Sequence, residues 1–245
     1  LKLRDILFNS ESGTEVFDGL ETVKKEVAEA YSKINRLELD LYLKYGTLPF
    51  TLQYVQEPLI YEQIEQTLTN IHTKDIPQLS KFEPTTLSKM NQILFAIASS
   101  DMTSLRTLAD TFKLNTATLS EILQVYEKSE VLLRVYPYGS SFGQVKRPSK
   151  YLFLSPAYRS MFFNLIGSTY SYDDYKGKIL EDAVGLSLRR LFGLRFGVFL
   201  TYDSAEKGAD FIVSMNNKDV PIEVGYGSKG FSQVSNTFQK TKAKY

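Results

Sequence analysis

The sequence predicts an α+β fold. In the first third of the chain, apolar residues recur at spacings of three and four, as they do in amphipathic helices. In the middle third, three helical patterns precede two runs that are rich in β-branched and aromatic residues. In the last third, three short β-like runs lie between two helical patterns. We therefore divide the chain into a helical segment, 1–84, a middle segment, 85–168, and a mixed segment, 169–245.

The first segment is predicted to contain two long helices. One helix covers Leu20–Tyr45 and is expected to end at Gly46 and Pro49. Its apolar face is formed by Val23, Val27, Ala30, Tyr31, Ile34, Leu37 and Leu41. A second helical pattern follows Pro58 and should end before Pro77, because the residue that precedes a proline is pushed out of the α region.

The middle segment has the element order of a winged helix-turn-helix. A first helix is indicated by the apolar residues of Leu87–Ile97, and Ser104 is a suitable N-cap for a second one. A third helix covers Thr116–Lys128. The runs Val131–Tyr136 and Tyr151–Leu154 then predict a hairpin. Two helices joined by a short turn and followed by two strands are typical of winged helices.

This winged helix offers a candidate DNA interface. Thr116, Thr118 and Gln124 of the third helix suit base edges or phosphates, although two glutamates on the same helix oppose the phosphate backbone. The wing adds four cations that would neutralise phosphates: Arg134, Lys146, Arg147 and Lys150. The alternative is a winged helix that docks a protein and carries a solvated basic turn.

The last segment is predicted to follow the order α-β-β-β-α. Its elements are Lys178–Phe192, Arg195–Tyr202, Asp210–Met215, Val220–Tyr226 and Ser232–Lys244. Asn216-Asn217 is a tight-turn signal between the last two strands. Polar residues replace the apolar rhythm at Gly167–Gly177, which indicates a linker before this segment.

Composition narrows the classes of function. The 245 residues are 43% hydrophobic and 23% charged, as in ordinary globular proteins. A net charge of +1 argues against a protein that is cationic over its whole surface, but leaves local basic patches open. No cysteine occurs, which excludes disulfides and thiolate metal sites and favours a reducing cytoplasm. The single histidine, His72, excludes any site that needs two imidazoles, and we expect it at a helix end rather than as a base.

The ends of the chain and its hydropathy suggest a cytoplasmic piece of a larger protein. No run approaches the roughly 20 apolar residues that span a bilayer, so we expect no membrane partner. The chain opens at Leu1 without a methionine and closes at Tyr245 just after a helical pattern. We interpret both ends as cuts, with the last segment truncated before a final strand.

Three acidic residues in the last segment form the candidate catalytic site. Asp210 begins one predicted strand and Glu223 lies in the next, so their carboxylates can converge across a hairpin. Glu181 would approach from the preceding helix. Convergent oxygen ligands are what Mg²⁺ needs to polarise a phosphate, and Asp210 with Glu223 would be its metal ligands.

These residues resemble the PD-(D/E)XK nuclease-like fold, an αβββαβ unit with a helical Glu, a strand Asp and a (D/E)-x-K on the next strand. The matching positions are Glu181, Asp210 and Glu223, but Gly225 stands where active enzymes have lysine. Glycine cannot orient water or neutralise developing charge. Lys229 or Lys240 could approach from the following segment. The resemblance therefore implies a degenerate site, and Mg²⁺ is expected only if that site is active.

A wider resemblance covers nearly the whole chain. It is carried by Tyr42–Pro49, Ile71–Ile76, Lys150–Tyr158 and Pro221–Val224, in that order. Together with the winged helix, these motifs are similar to the C-terminal region of bacterial and archaeal AAA-type ATPases that carry a family-specific domain of unknown function. Ser155 departs from the pattern, since an aspartate is common there. The resemblance implies an N-terminal ATPase domain in the same polypeptide.

ATP hydrolysis itself is not expected of these 245 residues. No G-x-x-x-x-G-K-[ST] phosphate-binding pattern occurs in them. The favoured interpretation is a DNA-binding or regulatory module that couples DNA or a partner protein to the ATPase domain. Two alternatives stay open: a metal-dependent DNA nuclease, and a scaffold for protein–protein interaction that uses the nuclease-like fold only as a packing surface.

Overall fold

A computed structural model describes residues 2–100, 104–140, 144, 147–165, 170–192, 197–226, 232–241 and 243. The described chain is α+β, as predicted, and divides into two compact units. The terminal unit comprises Leu1–Leu41 and Ser187–Tyr245, and the central unit comprises Tyr42–Leu186. These boundaries differ from those of the three predicted segments, because the first helices group with the end of the chain.

Twelve α-helices and five strands are found among the described residues. The helices are α1 (Lys2–Asn9), α2 (Gly13–Tyr31), α3 (Arg36–Leu41), α4 (Glu57–Asn70), α5 (Ile76–Leu79), α6 (Pro84–Leu87), α7 (Met90–Ser99), α8 (Leu105–Phe112), α9 (Thr116–Lys128), α10 (Pro156–Leu165), α11 (Tyr172–Phe192) and α12 (Ser232–Lys240). The strands are β1 (Leu132–Pro137), β2 (Lys150–Phe153), β3 (Val198–Tyr202), β4 (Phe211–Met215) and β5 (Lys218–Ile222). Two π-helical turns, Tyr42–Gly46 and Ile71–Asp75, and a 3-10 turn, Pro49–Gln53, complete the described helical structure.

In the central unit, α7, α8 and α9 are followed by an antiparallel β1–β2 hairpin in which Leu132 pairs with Phe153. Ser104 caps α8 as predicted, since its hydroxyl accepts a hydrogen bond from the Thr107 amide at 3.1 Å. Lys113 adopts the left-handed conformation, with φ 49°, and turns the chain between α8 and α9. The core of this region consists of residues that are almost wholly buried: Ile93, Leu94, Ile97, Leu119, Ile122, Tyr126 and Phe153.

The helical structure continues past Pro77, so the predicted stop there is wrong. Ile76 has φ −60° and ψ −43°, which is the α region that a following proline disfavours. The π-helical turn Ile71–Asp75 explains the difference. In it the Ile76 amide donates to the carbonyl of Ile71, and Pro77 falls within the first two residues of α5, where a missing amide hydrogen costs nothing.

In the terminal unit, β3, β4 and β5 form an antiparallel sheet in chain order. Asn216 and Asn217 have φ 52° and 60°, which confirms the predicted tight turn and fits the positive angles of a type I′ hairpin. Lys218 on β5 donates to the carbonyls of Phe8 and Ser10 at 3.0 and 2.9 Å, and so caps α1. The element order through α12 is α-β-β-β-α, as predicted.

Two helix boundaries differ from the prediction. The predicted helix Leu20–Tyr45 is divided, since α2 ends at Tyr31 and α3 begins at Arg36. The predicted linker overlaps α11, which already begins at Tyr172, while residues 166–169 lie outside the described part of the chain. Ser171 and Asp174 explain the early start, because Asp174 Oδ2 accepts hydrogen bonds from the Ser171 amide and hydroxyl at 2.7 and 2.8 Å.

Candidate functional site

Helix α9 divides into an apolar and a polar face. Its apolar face is buried and consists of Leu119, Ile122, Leu123, Val125 and Tyr126. Thr116 and Gln124 are exposed, and Thr118 is half-buried. Asn115 caps the helix, because its side-chain oxygen accepts from the Thr118 amide at 2.7 Å. The three residues predicted to contact DNA therefore lie on one helix whose position is fixed by its buried face.

His72, in the π-helical turn Ile71–Asp75, contacts α9 through Tyr126. The Tyr126 hydroxyl lies 2.9 Å from His72 Nε2, and the two ring centroids are 5.7 Å apart. Burial lowers the pKa of His72 to about 4, so its imidazole is neutral near pH 7. Sequence reasoning placed His72 at a helix end but did not identify this partner, because 54 residues separate the two side chains.

Arg134 on β1 is held within the hairpin. Its Nε donates to the Ser149 hydroxyl at 3.0 Å, and its guanidinium carbon lies 4.5 Å from the centre of the Tyr136 ring. Arg134 Nη1 also lies 4.0 Å from Oε1 of Glu127 on α9. Burial raises the pKa of Glu127, and the charge of Arg134 opposes that rise. The predicted phosphate contact thus has several partners inside the central unit, and its side chain is 27% exposed.

The other three predicted wing cations have different surroundings. Lys150 is 6% exposed and forms an ion pair with Glu181 on α11. Arg147 is exposed. Lys146 lies outside the described residues. The ion pair thus joins one residue of the predicted wing, Lys150, to one residue of the predicted acidic site, Glu181.

Asp182, next to Glu181 in the sequence, forms a second ion pair in the interior of the central unit. Its Oδ2 lies 2.5 Å from Arg159 Nε, and its Oδ1 accepts from the Phe153 amide at 3.0 Å. Arg159 also donates to the Ala98 carbonyl at 2.5 Å, which caps the C terminus of α7. Sequence reasoning missed this pair. The local signal was an arginine, Arg159, in a mainly apolar helix, since a buried charge needs a partner.

Two of the motifs that carry the wider resemblance meet in the central unit. The hydroxyls of Thr47 and Ser155 lie 2.6 Å apart. Both side chains are neutral, and either hydroxyl can be the donor of this hydrogen bond. The contact fixes the segment after the first π-helical turn against the start of α10.

Asp210 and Glu223 are neighbours on the β4–β5 hairpin. The ladder ends at the Phe211–Ile222 pair, and one further step of that register would put Asp210 opposite Glu223. Asp210 Oδ2 accepts from the Val224 amide at 2.9 Å, just beyond the end of the ladder. Gly225 follows and is exposed. Asp210 directly precedes β4 and Glu223 directly follows β5, so neither lies within a strand as predicted. The convergence of their carboxylates stays a prediction.

Glu181 does not belong to the same unit as these two residues. It lies in the central unit with Lys150, whereas Asp210 and Glu223 lie in the terminal unit. Among the described residues, no group of three or more Asp, Glu or His side chains could hold a metal ion. Two carboxylates on one hairpin provide fewer ligands than Mg²⁺ normally takes from a catalytic site.

Lys240, a candidate replacement for the absent lysine, pairs with a different carboxylate. Its Nζ lies 3.3 Å from Asp203 Oδ2, which also accepts from the Thr237 hydroxyl at 2.8 Å. Burial disfavours the charged form of Asp203, but hydrogen bonds from Ala205, Thr237 and Lys240 outweigh it and lower the pKa of Asp203. Lys229, the other candidate, lies outside the described part of the chain.

Comparison with known proteins finds one informative likeness. The Uncharacterized protein MJ1637 of Methanocaldococcus jannaschii is 33% identical to this chain over 229 residues, which is 92% of the chain and 48% of that protein. No family model and no solved structure matches the chain. Within the described residues, no helix is long and apolar enough to cross a membrane. The chain is thus similar to an archaeal protein of which it spans about half the length.

Proposed function

We propose that 90–153 is a winged helix that binds duplex DNA, with α9 as the recognition helix and the β1–β2 hairpin as the wing. One observation carries the proposal: α9 buries its whole apolar face while its outer face keeps Thr116, Thr118 and Gln124. Thr116 and Thr118 lie in the first turn of α9 and Gln124 about two turns further on, and hydroxyl and amide side chains on a recognition helix are suited to base edges and phosphates.

The charges around α9 support an anionic partner. Lys113 in the turn before α9, Lys128 at its C-terminal end and Arg147 near the hairpin are exposed. Arg106 on α8 has an 89% exposed side chain and lies 3.9 Å from Asp110. Glu121 is an exposed negative charge on α9 and would repel phosphates, but its carboxylate accepts a hydrogen bond from the Ser80 hydroxyl. The cations that would contact phosphates are thus mostly different from the predicted set, since Arg134 and Lys150 are engaged within the central unit.

Salt-dependent binding of a labelled duplex tests the proposal. Replacing Lys113 and Arg147 by Gln should weaken binding and lower the slope of log affinity against log salt by about 2, since each lost phosphate contact removes about 0.9. The matched control replaces Lys25 and Lys33 in the terminal unit by Gln, which removes the same charge and should leave the slope unchanged. Equal effects of the two pairs, or no duplex binding at low salt, would leave protein docking as the better reading.

We further propose that this module belongs to an AAA-type ATPase and couples DNA binding to its ATP hydrolysis. The motif resemblance supports this, and so does the likeness to an archaeal protein of about twice the length. The coding sequence upstream of Leu1 should contain a phosphate-binding G-x-x-x-x-G-K-[ST] motif. The full-length ATPase should then respond to DNA, and that response should be lost when Lys113 and Arg147 are replaced.

A metal-dependent nuclease is the second candidate, because the β4–β5 register favours two carboxylates on one face of the sheet. Cleavage in Mg²⁺ or Mn²⁺ that Asp210→Asn abolishes and Asp203→Asn retains would support it. We expect no cleavage by the wild-type chain, because Gly225 supplies no cation and Lys240 pairs with Asp203.

A further inference from the structure

A cavity of about 420 Å³ lies between the start of α4 and the end of α10, within the central unit. Among the described residues, two carboxylates, a phenol, an amide and two apolar side chains line it: Glu57, Glu62, Tyr61, Asn164, Pro58 and Leu165. Its volume falls within the range of small-molecule sites, roughly 300–1,000 Å³. None of these residues belongs to the predicted DNA interface or to the predicted acidic site. The cavity is therefore a separate candidate site.

The neutral polar groups of this lining have already given their hydrogens to the fold. Asn164 Nδ2 donates to the Ser160 carbonyl at 2.8 Å and to the Tyr175 hydroxyl at 3.3 Å, which leaves its Oδ1 as an acceptor. The Tyr61 hydroxyl donates to Glu57 Oε1 at 3.1 Å. Burial, together with the charge of Glu57, raises the pKa of Tyr61, so its hydroxyl keeps that proton. These side chains therefore offer a ligand acceptors and no further donors.

The charges around the cavity are unbalanced. Glu62 is exposed and makes no hydrogen bond or ion pair with the residues that the structure describes. Glu57 Oε1 lies 3.7 Å from Lys44 Nζ, which is also 4.9 Å from the centre of the Tyr172 ring. Two carboxylates and one ammonium leave one negative charge without a counterpart. The helix dipoles do not supply it, because α4 begins and α10 ends at the cavity, and their partial charges have opposite signs.

We propose that this cavity binds a small organic cation, an ammonium group on a short apolar stem. An ammonium has three donors and no acceptor, so it suits a lining that offers only acceptors, and it neutralises the charge of Glu62. The stem would pack against Pro58 and Leu165, which provide the apolar part of the lining. An anion would instead meet two carboxylates, so phosphates and nucleotides do not suit the cavity.

Calorimetric titration of the 245-residue chain with butylammonium chloride at low ionic strength tests the proposal. A ligand with so few atoms has little contact area, so we expect a Kd on the order of 0.1–1 mM. The matched ligand is 1-butanol, which has the same stem and nearly the same size but a neutral head group. It should bind at least about tenfold more weakly, because a hydrogen bond between charged groups is stronger than one to a neutral hydroxyl.

A pair of variants locates the binding site. Glu62→Gln keeps the size of the side chain but removes its charge, and should weaken binding of butylammonium about tenfold. The control is Glu83→Gln, which removes an exposed carboxylate that does not line the cavity and should leave the Kd unchanged. Circular dichroism should show the same helix content in both variants and the wild type, since both side chains are exposed.

Three results would overturn the proposal. The first is no binding of butylammonium by the wild-type chain at concentrations up to 10-fold above the expected Kd. The second is binding of 1-butanol as tight as that of butylammonium, since the cavity would then recognise the stem alone. The third is a Glu62→Gln variant that binds butylammonium as tightly as the Glu83→Gln variant does, because the charge of Glu62 would then make no specific contribution.

Discussion

Arg159 and Asp182 form a two-pronged ion pair that is closed to solvent. Arg159 Nε lies 2.5 Å from Asp182 Oδ2, the second guanidinium nitrogen lies 2.9 Å from Oδ1, and the side chains are 3% and 0% exposed. The remaining polar contacts are made with backbone groups of β2 and α7. The pair therefore connects α7, β2, α10 and α11 within the central unit.

Breaking this pair from one side should be strongly destabilising. Asp182→Ala leaves a buried guanidinium without its partner, and we expect the free energy of unfolding to fall by about 3–5 kcal/mol. Urea unfolding measures the loss. The control is Asp110→Ala, which removes the exposed partner of Arg106 and should change stability by at most about 0.5 kcal/mol. Equal losses would show that the buried pair contributes no more than a surface one.

The burial of His72 makes the stability of the protein pH-dependent. Folding lowers the pKa of His72 from an ordinary value of about 6.5 to about 4. Between these values the unfolded chain binds more protons than the folded one, so stability rises with pH across this window and is constant above it. The contribution that is lost on acidification approaches about 3 kcal/mol, from 1.36 kcal/mol per unit of pKa.

Comparison with a His72→Leu variant isolates this effect from that of the carboxylates. Unfolding free energies of both proteins are measured from pH 7 down to pH 4.5. The wild-type protein should lose stability relative to the variant as the pH falls through the window. A constant difference between the two would show that His72 titrates alike in the folded and unfolded chain.

Asn115 should matter for stability through its cap on α9. Its side-chain oxygen satisfies the Thr118 amide at 2.7 Å, one of the first amides of a helix that have no internal partner. Asn115→Ala should cost about 1 kcal/mol, whereas Asn115→Gly should cost only a few tenths. Thermal or urea unfolding of the two variants checks this order. An alanine variant as stable as the glycine one would mean that the cap contributes little.

Local signals in the sequence were sufficient for much of the fold. The cap Ser104 and the spacing of apolar residues located α8 and α9, and the Asn216-Asn217 pair located the β4–β5 turn. These features depend on residues within one or two turns of each other. The α+β class followed from them.

Features that depend on distant partners were not predictable in this way. Arg159 and Asp182 are 23 residues apart, and nothing between them indicates that they meet. Lys150 was predicted to contact phosphates as part of the wing, but it is buried and paired with Glu181, which is 31 residues away in the sequence. Periodicity predicted an apolar face for this helix, but periodicity does not report what covers such a face, and Leu20, Val27 and Tyr31 of α2 are exposed.

Lys150 provides the last test, because its predicted and observed surroundings imply opposite results. If its charge stabilises the central unit through Glu181, Lys150→Met should leave a carboxylate of 15% exposure without its cation and lower the free energy of unfolding by about 3 kcal/mol. The double variant Lys150→Met with Glu181→Leu should recover most of that loss, since an apolar pair can replace a buried ion pair. The slope of log affinity against log salt for duplex binding should be the same in this double variant as in the wild type. If Lys150→Met instead lowered the salt slope and left the free energy of unfolding unchanged, Lys150 would be a phosphate contact. The substitution would then have removed a charge at the DNA and no interaction within the fold.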